Sequence, residues 1–171
     1  MSLARYAWLG ILGGLVGAVL MAMVEMINEL LSGHSFFLPP HMIAAPFFGK
    51  APMEHAMKGG PLYLEGAPFL AGLVIHMMWT AGWGLVFGLI AGITRLVGTA
   101  ALWWSIAYGV VTGFVMSYLV LPLVGLDPIP QTSGWVPFFL MHIAYGIGPG
   151  AAIAYATLRV AAGAPGVRRA A

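Results

Sequence analysis

Four stretches of this chain, 6–31, 68–93, 101–124 and 135–158, are long, apolar and nearly free of charge. Each offers about 20 residues or more, and at ~1.5 Å of rise per residue that length crosses a ~30 Å hydrocarbon core with some tilt. Lipid gives the backbone no hydrogen-bond partners, so such runs must be helical. A water-solvated shell is not available as an alternative. Only 7% of residues are charged, against about 25% in soluble domains. The sequence therefore predicts an all-α integral membrane four-helix bundle, a single domain over 1–171, in contact with a lipid bilayer. The first run is expected to stay as a helix. It exceeds the ~7–15 apolar residues of a cleaved signal, and no small-x-small site precedes Glu25.

The charges that remain lie between the runs. Arg5, Arg95, Arg159, Arg168 and Arg169 fall on one side, and Lys50 and Lys58 on the other. The positive-inside rule then predicts cytoplasmic termini. Glu54, Glu65 and Asp127 would face outward. No Lys/Arg patch exists to attract nucleic acid, and the absence of Cys removes disulfides, thiolate ligands and thiol catalysis.

The runs pair by pattern. Trp8, Gly13, Gly17, Val19 and Val24 fall in one register on Trp104, Gly109, Gly113, Val115 and Val120. His76, Gly82 and Gly84 fall in another on His142, Gly148 and Gly150, with Trp79 on Tyr145. Two pseudo-repeated helical hairpins are expected, related by an axis along the membrane normal. Their difference is the long external loop 32–67, which carries His34, His41, His55, Pro39 and Pro40 and two apolar pieces expected to lie in the interface or fold over the bundle. Gly13 with Gly17, Gly109 with Gly113, Gly84 with Gly88 and Gly92, and Gly146 with Gly150 and Ala154 put small residues on single helix faces, which lets backbones approach closely. Pro149 is expected to bend the last helix.

Ionisable side chains inside apolar runs are costly and are functional candidates by default. By counting, His76 and His142 lie roughly 6–8 Å to the outer side of the midplane, Glu25 roughly 10 Å and Glu29 roughly 16 Å. Three alternatives follow. His76 and His142 could ligate a b-type haem, since bis-histidine ligation needs two imidazoles at matching depth. With Glu25 and Glu29 they could instead hold a metal ion or poise a proton. In the loop, Met53, His55 and Met57 form a short soft set suited to Cu(I), a weaker signal. Or the histidines bond across the bundle and only fix its packing, and the chain is a structural or accessory subunit of a larger complex, or a homo-oligomer, with no ligand. No hydrolase triad, phosphate loop or HExxH motif is present, so an enzyme acting alone is not expected.

Three segments carry a family resemblance. They are the histidine-bearing run from His76 to Gly88, the turn Leu121-Pro-Leu-Val-Gly-Leu-Asp-Pro128, and Met141-His-Ile-Ala-Tyr-Gly146. Together they resemble the YagU-like group of small bacterial inner-membrane proteins and related four-helix families of unknown function. The resemblance implies a multi-pass protein of the bacterial plasma membrane with recurrent histidines. It implies no substrate, cofactor or reaction.

Overall fold

The computed structural model describes residues 1–127 and 129–163. Arg168 and Arg169, which enter the orientation argument, lie outside the described residues. The described chain is helical, and four helices are long and apolar enough to cross a membrane. They are α1 (Leu3–Leu31), α4 (Gly66–Ile93), the combined span Gly98–Leu123, and α8 (Trp135–Gly163). The third span consists of α5 (Gly98–Val115), a π-helical turn (Met116–Val120) and α6 (Leu121–Leu123). A single-turn helix, α7 (Ile129–Thr132), precedes α8. Pro149 sits inside α8, which runs on through it without a break.

Glycine decides which helices touch. At Gly10 and Gly14 an added Cβ would collide with the α4 backbone at Gly84, Gly88 and Thr80. At Gly13 and Gly17, on the neighbouring stripe, it would collide with α8 at Gly148, Pro149 and Tyr145. Thus α1 carries two small-residue stripes and is clasped on both sides. Gly109, Gly146 and Gly150 bring α5 and α8 together in the same way. These pairings all run in opposite directions along the two chains, so the four spans are antiparallel. The fourth side of the bundle, α4 against α5, is wider and is filled by large side chains. Trp83 and Phe87 meet Tyr108 edge-on or tilted, and the Tyr108 hydroxyl donates to the Trp83 carbonyl at 2.9 Å. Tyr145 spans from α8 to donate to the Thr80 carbonyl of α4 at 2.9 Å. Trp8, Trp103, Trp104 and Trp135 are exposed near span ends, as membrane-interface residues are.

The segment between α1 and α4 is not irregular. It forms α2 (Leu38–Phe48) and α3 (Ala51–Lys58). Pro39 and Pro40 look like a break, but they fall in the first turn of α2, where a missing N–H costs nothing. The segment folds down on the bundle. Leu38, Ala44 and Ala45 are buried, and Pro40 lies directly on Gly72 of α4. His41 fixes the fold of this lid. Its Nδ1 donates to the Phe37 carbonyl at 2.6 Å, and its Nε2 accepts from the Glu65 amide at 3.1 Å. Ser35 adds a second tie, donating to the Tyr63 carbonyl at 2.7 Å.

Candidate functional site

Between the lid and the ends of α1, α4 and α8 lies a cavity of about 380 Å³. Its walls are mostly apolar. Its polar groups converge from α1 (Glu25, Glu29), from the turn after α1 (His34), from α4 (His76) and from the turn before α8 (Ser133). Lys50 and Asp127, both exposed, also reach it.

A helix-ending motif sets Glu29 beside His34. After α1 the chain turns through Gly33 at φ 86°. The Gly33 amide donates to the Leu30 carbonyl at 3.1 Å and the His34 amide to the Glu29 carbonyl at 3.0 Å. This is the Schellman arrangement, which brings the third residue from the helix end against the second residue after the cap. An apolar contact is usual there. Here it is an ion pair or charge-assisted hydrogen bond, with His34 Nδ1 2.7 Å from Glu29 Oε2. Glu29 is only 5% exposed, so the partner offsets a real desolvation cost.

One helical turn back, Glu25 is half-buried. Its Oε1 accepts from the Ser133 hydroxyl at 2.7 Å, while Oε2 is buried with no hydrogen-bond partner among the described residues. A buried, half-satisfied carboxylate in a cavity wall is the least stable polar feature of the site.

The two histidines of the apolar runs part company. His76 lines the cavity, and its Nε2 donates to the Ala18 carbonyl of α1 at 3.2 Å. His142 is buried at the α5–α8 interface, its Nδ1 donating to the Phe138 carbonyl at 2.7 Å and its ring lying on Gly113. His76 therefore keeps only Nδ1 for a ligand. His142 keeps only Nε2, on a ring that leaves no room for a Cβ at Gly113. Each of the two histidines thus spends one ring nitrogen on a backbone carbonyl, His76 at the α1–α4 contact beside the cavity and His142 within α8 at its contact with α5. His55 is exposed on the outside of the lid, with Nδ1 3.8 Å from Glu65 Oε2. Among the described residues no group of three His, Cys, Asp or Glu side chains is placed to hold a metal ion.

Of the residues expected from sequence, the cavity thus gathers Glu25, Glu29, His76, Met53 and Met57, and excludes His142 and His55. Sequence reasoning missed His34, Ser133 and the remaining methionines. The Gly that ends α1 was the available signal for His34. Nothing local marks Ser133, which pairs with a residue more than a hundred positions away. Six of the eleven methionines, Met21, Met26, Met42, Met53, Met57 and Met141, line this one space. No protein-family model, curated protein sequence or solved structure matches the chain.

Proposed function

We propose that this chain is a multi-pass membrane protein whose work is done at the lidded cavity, where it binds a small, largely apolar molecule carrying a cationic group. The observation that carries the reading is Glu25 Oε2, buried and unpartnered among the described residues, in a cavity of about 380 Å³. That volume falls at the small end of the ~300–1,000 Å³ range of ligand sites, and an apolar wall with a few convergent polar groups is their usual make-up. Methionine suits such a wall because its flexible thioether adapts to irregular ligands. The positions of Arg5, Arg95 and Arg159 at one end of the antiparallel bundle, with Lys50 and Lys58 at the other, support cytoplasmic termini in a bacterial inner membrane, with the cavity on the outer side. That location agrees with the YagU-like resemblance.

The test is thermal unfolding of the full chain in mild detergent with benzyltrimethylammonium and with its neutral carbon isostere. A ligand that binds only the folded state raises the melting temperature. The ammonium compound should raise it, the isostere should not, and Glu25→Gln should remove the difference. Equal effects of the two compounds, or an unchanged response in Glu25→Gln, would overturn the reading.

The thioethers favour a second reading. Six methionines with His34 and His76 form a soft donor set suited to Cu(I). Stabilisation by Ag(I), a redox-inert stand-in, that is lost in Met53→Leu/Met57→Leu and kept in Glu25→Gln would select it.

A further inference from the structure

A second concavity, about 510 Å³, lies on the lipid-facing side of the α1–α8 contact, at the opposite end of the bundle from the lid. It follows from the glycines. Gly13 and Gly148 bring the two backbones so close that neither has room for a Cβ, and the larger side chains on either side stand up as walls. Leu12, Val16 and Ile147 form those walls and are exposed. From Arg5 to Leu20 the groove follows α1 for roughly 22 Å at ~1.5 Å per residue, which is the depth of one leaflet and somewhat more.

Its end is charged with one sign. Arg5 and Arg159, from antiparallel helices, both line it there. Arg159 is oriented: its Nε donates to the Tyr155 hydroxyl at 3.1 Å, and its guanidinium carbon lies 5.1 Å from the centre of the Tyr155 ring. Among the described residues its two terminal nitrogens have no acceptor. Every acidic side chain of the protein (Glu25, Glu29, Glu54, Glu65, Asp127) lies toward the opposite end of the bundle or beyond it. Among the described residues neither arginine has a carboxylate partner. An apolar slot of leaflet depth that ends in two arginines is complementary to one kind of molecule in a bilayer.

We propose that this groove holds an anionic phospholipid, one acyl chain lying along Gly13 and Gly148 and the phosphate held between Arg5 and Arg159. The inference rests on the bundle spanning a bilayer and is independent of what the lidded cavity binds. Tyr155 acts as a positioning residue, since it fixes Arg159 and needs no contact with the lipid.

The experiment is native mass spectrometry of the full chain released from mixed micelles containing equal phosphatidylglycerol and phosphatidylcholine with identical acyl chains. Retention of phosphatidylglycerol over phosphatidylcholine should be on the order of tenfold, from two guanidinium groups at an anionic headgroup. Arg5→Gln/Arg159→Gln should reduce that preference to near one while phosphatidylcholine is still retained. Ala152→Phe, which fills the groove, should lose both lipids. Arg95→Gln removes a third arginine from the same end but off the groove, and it should keep the preference. Soluble glycerol phosphate in excess should not displace the lipid. Equal retention of the two lipids by the unmodified protein would overturn the proposal. So would an equal loss in Arg95→Gln, which would reduce the effect to general surface charge. Displacement by glycerol phosphate would reassign the arginines to a free anion.

Discussion

Pro40 rests backbone-on-backbone against Gly72, and an added Cβ at Gly72 would overlap the Pro40 carbonyl group. This approach sets how closely the lid sits on α4 at that point and therefore bears on how tightly the cavity is closed. Gly72→Val should lift α2 away from the bundle, at a cost of about 1–3 kcal/mol for overpacking. The chain has no cysteine, so a single Ala22→Cys in the cavity wall is a clean reporter. Its modification by a membrane-impermeant maleimide should be slow in the parent and several-fold faster with Gly72→Val. Equal rates would mean that the lid is held elsewhere.

His41 offers a second handle on the same lid. The carbonyl of Phe37 can only accept and the amide of Glu65 can only donate, so His41 is held as the Nδ1–H tautomer with both nitrogens in use. His41→Ala leaves the Glu65 amide without its partner and the Phe37 carbonyl with only its helix bond, and should cost about 2–4 kcal/mol as two lost hydrogen bonds plus the cavity left by a fully buried ring. Proteolysis between α1 and α4 should become rapid while the spans stay intact. His41→Asn keeps a donor and an acceptor and should lie between the two.

The spans were legible because lipid leaves an apolar run only one option, a helix. Their packing was partly legible. Gly13 with Gly17 stood out, whereas Gly10 with Gly14 was hidden in the same glycine-rich turn and is what joins α1 to α4. Azimuth was not legible. Counting residues places His76 and His142 at similar depth, yet it cannot say that one faces the Ala18 carbonyl and the other Gly113. Segment 32–67 is legible only as a long connection between two apolar runs; that Pro39 and Pro40 open a helix there, with Leu38, Ala44 and Ala45 buried, depends on contacts the sequence does not show.

The pair Glu29–His34 should show the asymmetry of a buried charge. His34→Ala leaves a nearly buried carboxylate unpaired and should destabilise the protein by roughly 1–3 kcal/mol, below the ~3–5 kcal/mol of fully buried pairs because His34 is a third exposed. Glu29→Gln/His34→Ala should recover part of that loss. Unfolding in mixed detergent micelles for the two single variants and the double variant gives the coupling energy. A coupling near zero would mean that the contact is solvated and contributes nothing.

Arg95 ends α4 in the left-handed region, at φ 54°, with the Leu96 amide bonded to the Ala91 carbonyl at 2.9 Å. This is the position of a Schellman cap where glycine is usual, and a side chain there costs about 1–2 kcal/mol. Arg95→Gly should therefore raise thermal stability by about 1 kcal/mol. The same change removes one of the charges that distinguish the two ends of the bundle, so a reporter fused after α4 should show a larger fraction of inverted insertion. A stabilised protein with unchanged topology would assign Arg95 no part in orientation.

His142 and Gly113 decide whether haem has any place in this bundle. Bis-histidine ligation would need His142 Nε2 together with His76 Nδ1, whereas the His142 ring packs on Gly113 at the α5–α8 interface; in a purely packing role it binds no iron. Protein purified from its native membrane should then show no Soret band, oxidised or reduced with dithionite. Gly113→Ala should destabilise it by about 1–3 kcal/mol through collision with the imidazole, and His142→Ala should relieve that collision in the double variant. A reducible Soret band that disappears with either His76→Ala or His142→Ala would replace the packing role of His142 with ligation. A colourless protein with strong Gly113–His142 coupling would fix His142 as a packing residue.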